Sequence, residues 1–179
     1  PTTKKVDINY MDFCHVKNNK IINNWVMVDF PGVMKQLGVD VFEGEGWEKF
    51  GNKKNKSQCY QYQNPIEDFI YRITQEIWEN KKVENIRKYY AKDVIVRSPS
   101  ITTFDCDKVV KATYNTLNQF PDRELIGEDV ISCGSIDQTY LSSHRILSTG
   151  THIGEGVYGK PTGRKVIYRV IADCLVKDN

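Results

Sequence analysis

The sequence predicts an α+β fold in which helices come before a run of antiparallel strands. Between residues 65 and 120 apolar residues recur at helical spacing, and between 124 and 177 β-branched and aromatic residues dominate. Helices and strands that are grouped along the chain, rather than alternating, are typical of this class. A further observation, a repeated segment, indicates how the chain is divided into domains.

The first nineteen residues align without a gap with the last nineteen, at a constant offset of 160. This period is far longer than the roughly 20 to 50 residues of a solenoid repeat and matches the size of a whole domain. We therefore interpret the repeat as a duplicated domain. The identical pairs are Pro1/Pro161, Thr2/Thr162, Lys5/Lys165, Val6/Val166, Cys14/Cys174, Val16/Val176, Lys17/Lys177 and Asn19/Asn179.

The duplication predicts three regions. Residues 1–50 would be the C-terminal strands and tail of a first copy, 51–64 a polar linker, and 65–179 a second copy that lacks its last strand. We expect Ile21 to Leu37 to supply that strand, either within one chain or between two chains. The simpler alternative is that the chain is a fragment of a protein with two complete domains.

The first region is expected to form a hairpin and a short helix. Residues 5–17 and 21–28 have strand composition, and the polar stretch Lys17-Asn18-Asn19-Lys20 between them is typical of a turn. Phe30-Pro31-Gly32 then ends the second strand. Residues 33–37 make a helical turn that Gly38 closes.

The helices of the second copy are predicted from caps and apolar spacing. Asn64 can cap a helix that has Pro65 at its first position, and helical spacing continues to Tyr90. Residues 93–97 have the composition of a short strand, and Asp107 is expected to cap a further helix that ends at Phe120-Pro121. The apolar face of the first helix consists of Ile66, Phe69, Ile70, Ile73 and Ile77.

Four strands are expected after these helices, near residues 124–133, 139–149, 151–158 and 165–177. The breaks between them fall at Gly134-Ser135, Gly150 and Pro161-Thr162-Gly163, which are typical turn residues.

Composition narrows the classes of partner. The formal net charge is +2 and the basic residues are spread along the chain, so nucleic acid is not an expected partner. No apolar run approaches the roughly 20 residues of a membrane span, and the first residues lack a signal-peptide core. We therefore expect a soluble, cytoplasmic protein without a membrane partner.

Motifs for metal or cofactor binding are missing from the sequence. The five cysteines are scattered, with no CxxC pair and no Cys/His cluster at zinc spacing, which favours reduced thiols and no metal site. There is no GxGxxG, P-loop, HExxH or GxSxG pattern, so we expect no cofactor.

Two stretches of the chain are specific enough to compare with a known family. Residues 151–166 are THIGEGVYGKPTGRKV, and residues 20–38 run from Lys20-Ile21 through Trp25 to the segments DFPG and QLG. Both resemble the SnoaL-like polyketide cyclases, a family of the nuclear-transport-factor-2-like superfamily. In that family the two signatures belong to one domain, whereas here they come from different copies.

The resemblance implies a fold and a chemistry. The fold would be a cone-shaped barrel, in which N-terminal helices pack on a strongly curved antiparallel sheet around an internal pocket. Family members are usually homodimers through the convex face of the sheet. The cyclases close a ring by an aldol-type condensation of a polyketide ester without metal or cofactor. Their acid/base aspartate corresponds to Val26, so the catalytic carboxylate is absent from that position.

Four other residues are candidates for acid/base chemistry. Asp173 lies in an apolar run. It is either a buried base of raised pKa, or a carboxylate that is hydrogen-bonded to a neighbouring strand or paired with an arginine. Asp29 matches the family's Asp-Phe pair, or caps the helix after it. His144 and His152 could polarise a carbonyl or accept a proton, or could be half-buried histidines bonded to backbone carbonyls. If their strands pair across a turn at Gly150, they share one site.

The aromatic residues Trp25, Tyr140 and Tyr168 are the candidates for lining a pocket around a flat ligand, whereas Trp78 is expected in the core. These features predict a protein that binds a small, largely apolar, oxygenated molecule. Its function would be that of a polyketide or ester cyclase or a related isomerase, with cofactor-free acid/base chemistry on a carbonyl compound. The alternative is a non-catalytic ligand-binding or dimerisation module of the same fold, which Val26 favours.

Overall fold

The structure is a computed structural model that describes residues 3–39, 64–98 and 101–177. The chain divides into two compact units, each described by itself. Unit 1 comprises Pro1–Lys54 and Pro99–Ile101, and unit 2 comprises Asn55–Ser98 and Thr102–Asn179. Except for Asn64, the predicted linker lies outside the described residues, and the assignment of the units to two incomplete copies stays a prediction.

Unit 1 contains a β-hairpin of strands β1 (Tyr10–Lys17) and β2 (Lys20–Val28), which pair antiparallel. The two residues between the strands, Asn18 and Asn19, both have positive φ angles, 51° and 57°. Asparagine tolerates this left-handed backbone, which two-residue hairpin turns require. The predicted hairpin is confirmed, although its first strand begins at Tyr10 rather than at residue 5.

Helix α1 (Phe30–Leu37) follows the hairpin and is longer than the predicted turn. The carboxylate of Asp29 accepts a hydrogen bond of 2.9 Å from the backbone N–H of Gly32, so the helix begins just after Asp29. Gly38 ends the helix with a φ of 84°, the left-handed conformation in which glycine is favoured.

The helices of unit 2 follow the predicted order. Asn64 caps α2 through a hydrogen bond of 3.0 Å from the N–H of Glu67, as predicted. The last helix is capped by Asp105 and not by Asp107, because the Asp105 carboxylate reaches the N–H of Lys108 at 2.9 Å. The helical elements are α2 (Pro65–Thr74), a π-helical turn (Gln75–Glu79), a 3-10 turn (Val83–Asn85), α3 (Ile86–Tyr89) and α4 (Cys106–Gln119).

Five strands complete the described part of unit 2, and the α+β class is confirmed. A short hairpin, β3 (Ile95–Arg97) with β4 (Thr102–Phe104), precedes α4. The main sheet is antiparallel in the order β5-β6-β7. Its strands are β5 (Glu124–Gly134), β6 (Tyr140–Thr151) and β7 (Lys165–Val176).

The predicted strand at 151–158 is wrong. Strand β6 continues through Gly150 to Thr151, and residues 152–164 form a loop with an isolated bridge between Gly156 and Gly159. Gly150 serves close packing and not a turn, because a Cβ atom there would lie 3.3 Å from Cβ of Phe120.

The main sheet has two faces because side chains alternate along each strand. On the face that packs against α2, here called the inner face, five alternate residues of β6 are all buried: Tyr140, Ser142, His144, Ile146 and Ser148. On the opposite side, the outer face, β6 presents Leu141, Ser143, Arg145, Leu147 and Thr149. Apolar contacts between α2 and the inner face build one core cluster, whose buried members are Ile66, Ile70, Val130 and Tyr140.

Candidate binding site on the inner face

His144 lies in the middle of β6 and is 1% exposed. Its Nδ1 is 3.2 Å from the hydroxyl of Thr74 on α2. That hydroxyl donates its single proton to the carbonyl of Ile70, at 2.9 Å, so it accepts a hydrogen bond from the Nδ1–H. Nε2 is therefore the nitrogen that carries the lone pair, and it forms no hydrogen bond with any described residue.

Burial keeps this imidazole neutral, since it lowers the pKa of His144 to about 4. Gly127 and the ring of Tyr71 flank Nε2, and a Cβ atom on residue 127 would lie 2.8 Å from it. The tyrosine and imidazole rings are tilted, with centroids 6.1 Å apart. The result is a buried, unprotonated hydrogen-bond acceptor on the inner face.

His152 lies just after β6 and is also buried. Its ring stacks on Phe120 at 5.2 Å between centroids, and its Nδ1 is 3.4 Å from the hydroxyl of Thr162. Its backbone carbonyl accepts hydrogen bonds from the N–H groups of Thr162 and Gly163, which hold the loop against the end of the strand. Its Nε2 has no hydrogen-bond partner among the described residues.

The two histidines do not share a site. The pairing across Gly150 that would have joined them is absent, because β6 runs straight through that residue. His152 lies eight positions after His144, which corresponds to roughly 26 Å along an extended chain. Unit 2 thus has two separate buried imidazoles, one on the inner face and one just after the end of β6.

Arg123 lies just before β5, and its side chain is buried within unit 2. It is 8% exposed, with its Cζ 4.5 Å from the ring centroid of Trp78 and 5.3 Å from that of Tyr168. Its Nε donates a hydrogen bond of 2.9 Å to the hydroxyl of Ser148 on β6. Phe120 lies between these residues and His152. Its ring stacks on that of His152 and also lies beside the ring of Tyr168, with centroids 6.3 Å apart. We call Arg123, Trp78, Tyr168 and Ser148 the arginine site.

The two aspartates take no part in either arrangement. Asp173 is exposed on the outer face, opposite Ser143, so the expectation of a buried base at this position is wrong. Alternation explains this: the neighbouring residue Cys174, opposite Ser142, occupies the inner face instead. Asp29 belongs to unit 1 and caps α1, the structural role that was its alternative.

The three aromatic residues that were predicted to line a pocket lie in three different environments. Tyr168 belongs to the arginine site. Tyr140 is 1% exposed within the apolar cluster under α2, so it is a core residue and not a free pocket wall. Trp25, in unit 1, packs edge to face against the buried ring of Phe13, with centroids 6.4 Å apart.

Within the described ranges no three His, Cys, Asp or Glu side chains come together as a set that could hold a metal ion. None of the helices in those ranges combines the length and apolarity needed to cross a membrane.

Comparison with solved structures identifies proteins of similar fold. A proposed SnoaL-like polyketide cyclase from Jannaschia sp. CCS1 matches with a TM-score of 0.54 and 17% identity, over 66% of this chain and 84% of that one. A proposed polyketide cyclase from Acidithiobacillus ferrooxidans matches with a TM-score of 0.54 and 16% identity, over 67% and 84%. AclR from Streptomyces galilaeus, a proposed hydroxylase, matches with a TM-score of 0.50 and 22% identity, over 63% and 71%.

These matches confirm the resemblance at the level of the fold. No family model and no curated protein sequence matches the chain. Because one fold supports many activities, the function has to be argued from the residues of the site.

Arg123 is the residue that sequence reasoning missed. It stands between Asp122 and Glu124 just after Pro121, a charged stretch that is typical of an exposed loop. Its burial arises because Trp78 and Tyr168, distant in sequence, close over it. The one local signal was the aromatic content of the segments around it.

Proposed function

We propose that unit 2 binds a small, largely apolar, oxygenated molecule at its inner face, which would form the wall of a pocket in a cone-shaped barrel. The observation that carries this proposal is the set of buried polar atoms without a protein partner. Nε2 of His144 and Nε2 of His152 are both buried and unbonded among the described residues. Buried polar groups are normally hydrogen-bonded, and an oxygenated ligand would supply the missing partners.

We further propose that His144 acts as a base toward a carbonyl compound. Its Nε2 carries a lone pair, and the Thr74 hydroxyl fixes the tautomer by accepting the Nδ1–H. A proton next to a carbonyl group would move to Nε2, leaving an enolate, and would return to another carbon or oxygen of the same molecule. Because burial disfavours the imidazolium, the proton would be held on Nε2 only briefly before it returns to the molecule.

Methyl naphthyl ketone is a suitable probe because it is flat, neutral and carries exchangeable protons next to its carbonyl. We expect the full chain to bind it and to accelerate exchange of its methyl protons in D₂O, followed by proton NMR. His144→Gln should retain binding and lose the acceleration, since the amide is not a base. His15→Gln, a change at an exposed histidine of unit 1, should match the wild type.

Absence of binding to this ketone and to related flat carbonyl compounds would contradict the proposal. Binding without acceleration of exchange would favour the alternative, a non-catalytic ligand-binding module. The presence of Val26 at the position of the family's acid/base aspartate supports that alternative.

We also propose that the outer face joins two copies of the chain into a homodimer. Leu141 and Leu175 are direct cross-strand partners on that face and are 55% and 58% exposed. Ile131 of β5 lies on the same face and is exposed as well. Adjacent exposed apolar side chains of this kind are typical of contact surfaces, and a second copy would cover them.

A further inference from the structure

The arginine site has an unusual feature, a buried guanidinium that no carboxylate neutralises. The backbone fixes its position, because the N–H of Arg123 donates to the carbonyl of Phe120 at 3.0 Å, directly after α4. The side chain then extends inward to Ser148, whose hydroxyl proton is committed to the carbonyl of Glu124 at 3.0 Å. Ser148 can therefore only accept from the arginine, and it occupies the Nε–H alone.

The two Nη groups have no such partner. Among the described residues no carboxylate forms an ion pair with Arg123. The charge of Glu79 acts on the arginine without an ion pair between them. The Glu79 carboxylate instead accepts a hydrogen bond of 2.7 Å from the backbone N–H of Leu125. Burial lowers the pKa of the Arg123 guanidinium, which reflects how poorly this environment solvates the charge.

The two aromatic rings account for part of the stabilisation. Rings contact the face of a guanidinium by cation–π interaction, and they leave its edge, where the N–H bonds point, unoccupied. The Nη edge of a guanidinium matches the two oxygens of a carboxylate, which it binds through parallel hydrogen bonds. The rings of Trp78 and Tyr168 lie beside the guanidinium, and a flat apolar ligand body suits such aromatic neighbours.

We infer that the Nη edge of Arg123 binds the carboxylate of a flat, apolar organic acid, whose body packs beside Trp78 and Tyr168. This inference rests on the proposed function and narrows it, because it gives the ligand class a negative charge at one end. The site is separate from His144, since Ser148 lies four residues further along β6, roughly 13 Å away. A ligand that reaches both groups would need a body of more than one ring.

Two probes of matched shape test whether the site prefers a negatively charged ligand. Naphthoate carries a carboxylate where methyl naphthyl ketone carries a neutral acetyl group. We expect the full chain to bind naphthoate about tenfold or more tightly than the ketone, measured by titration calorimetry, since hydrogen bonds between charged groups are the stronger ones.

Variants of Arg123 then test whether this residue causes the preference for naphthoate. Arg123→Met, which keeps an unbranched apolar stem and removes the guanidinium, should weaken naphthoate binding about tenfold or more and change ketone binding less than about twofold. Arg123→Lys should recover part of the affinity, because a lysine keeps the charge and loses the paired geometry. Arg87→Met, at an exposed arginine of α3, is the control and should bind both probes as the wild type does.

The outcomes separate this inference from the proposal on which it rests. If naphthoate has no advantage over the ketone, or keeps it in Arg123→Met, the inference is overturned while ligand binding stands. If neither probe binds the wild type, both fail. Ketone binding by Arg123→Met also shows that the variant is folded, so a loss confined to naphthoate reports on the charge.

Discussion

The arginines on the two faces of the main sheet have opposite surroundings. On the outer face Arg145 and Arg169 both contact the carboxylate of Glu128, at 3.1 Å and 2.6 Å. On the inner face Arg123 has two aromatic rings and a hydroxyl around it. The pKa values move accordingly: hydrogen bonding to Glu128 raises that of Arg169, whereas burial lowers that of Arg123.

This difference separates a structural arrangement from one that is suited to a ligand. Glu128 lies at a bulge in β5 between Gly127 and Asp129, and both arginines form ion pairs with its carboxylate. On the inner face the hydrogen bond to Ser148 occupies only the Nε–H of Arg123. Nε2 of His144 has no hydrogen-bond partner among the described residues. The ion pairs of Glu128 thus support the fold, whereas the proposed function assigns Nε2 of His144 and the Nη groups of Arg123 to a bound molecule.

The largest expected effect is on the outer face. Glu128→Gln should lower the free energy of unfolding by about 3–5 kcal/mol, because it leaves two partly buried arginines without their carboxylate. Urea unfolding followed by circular dichroism measures this loss. The matched control is Glu84→Gln, which removes an exposed partner of Arg87 and should cost about 1 kcal/mol or less. Equal losses in the two variants would contradict the structural role of Glu128.

The next effect concerns the neutral imidazole of the inner face. His144 has a pKa of about 4 in the folded chain and about 6.5 when unfolded. Below pH 6.5 the unfolded chain takes up a proton that the folded chain excludes, so stability present above that pH is lost as the pH falls to about 4. The loss amounts to about 3 kcal/mol.

His144→Gln should remove this part of the pH dependence, as measured by urea unfolding at pH values from 4 to 7. The control His15→Gln should keep the wild-type slope, because His15 is exposed. Identical slopes for His144→Gln and the wild type would mean that the imidazole accepts its proton inside the folded unit.

A smaller effect on stability is expected at the arginine site. Arg123→Met should change the free energy of unfolding by about 1 kcal/mol or less, since removing a buried, unneutralised charge offsets the loss of its ring contacts. The measurement is the same urea titration as for Glu128→Gln. A loss as large as that of Glu128→Gln would make Arg123 a structural residue and remove the contrast between the faces.

The smallest effect on stability belongs to the exposed apolar residues of the outer face. Leu175→Glu should change the free energy of unfolding by no more than about 0.5 kcal/mol, because the side chain is exposed. It should nevertheless convert the proposed dimer into monomers, which sedimentation equilibrium detects. Ile95→Glu on β3 is the control for an added charge at an exposed apolar position. A wild-type chain that is already monomeric would remove the dimer from the account.

Local signals explain which elements could be predicted from the sequence. Asn18-Asn19 specifies a hairpin turn and Asn64-Pro65 a helix start, because each depends on the backbone of adjacent residues. Gly150 was misread as a turn since nothing local distinguishes it from a glycine needed for close packing against Phe120. Both the α+β class and the order of the helices depended only on such local patterns.

The site depends on contacts between distant residues and was harder to predict. His144 could be nominated, because an imidazole in an apolar strand is conspicuous, but its distance from His152 depended on where β6 ends. The prediction of a buried base at Asp173 was wrong because an apolar run does not indicate which face of the sheet each residue occupies. Arg123 was missed because its burial is produced by Trp78 and Tyr168, which lie far from it in the sequence.

The most direct test of the account is a crystal structure of the full chain grown with naphthoate. The account predicts that the carboxylate lies within hydrogen-bond distance of both Nη atoms of Arg123, with the naphthalene rings on the inner face beside Trp78 and Tyr168. Naphthoate bound at Arg145 and Arg169 on the outer face, with the Nη edge of Arg123 making contacts to protein groups alone, would contradict it.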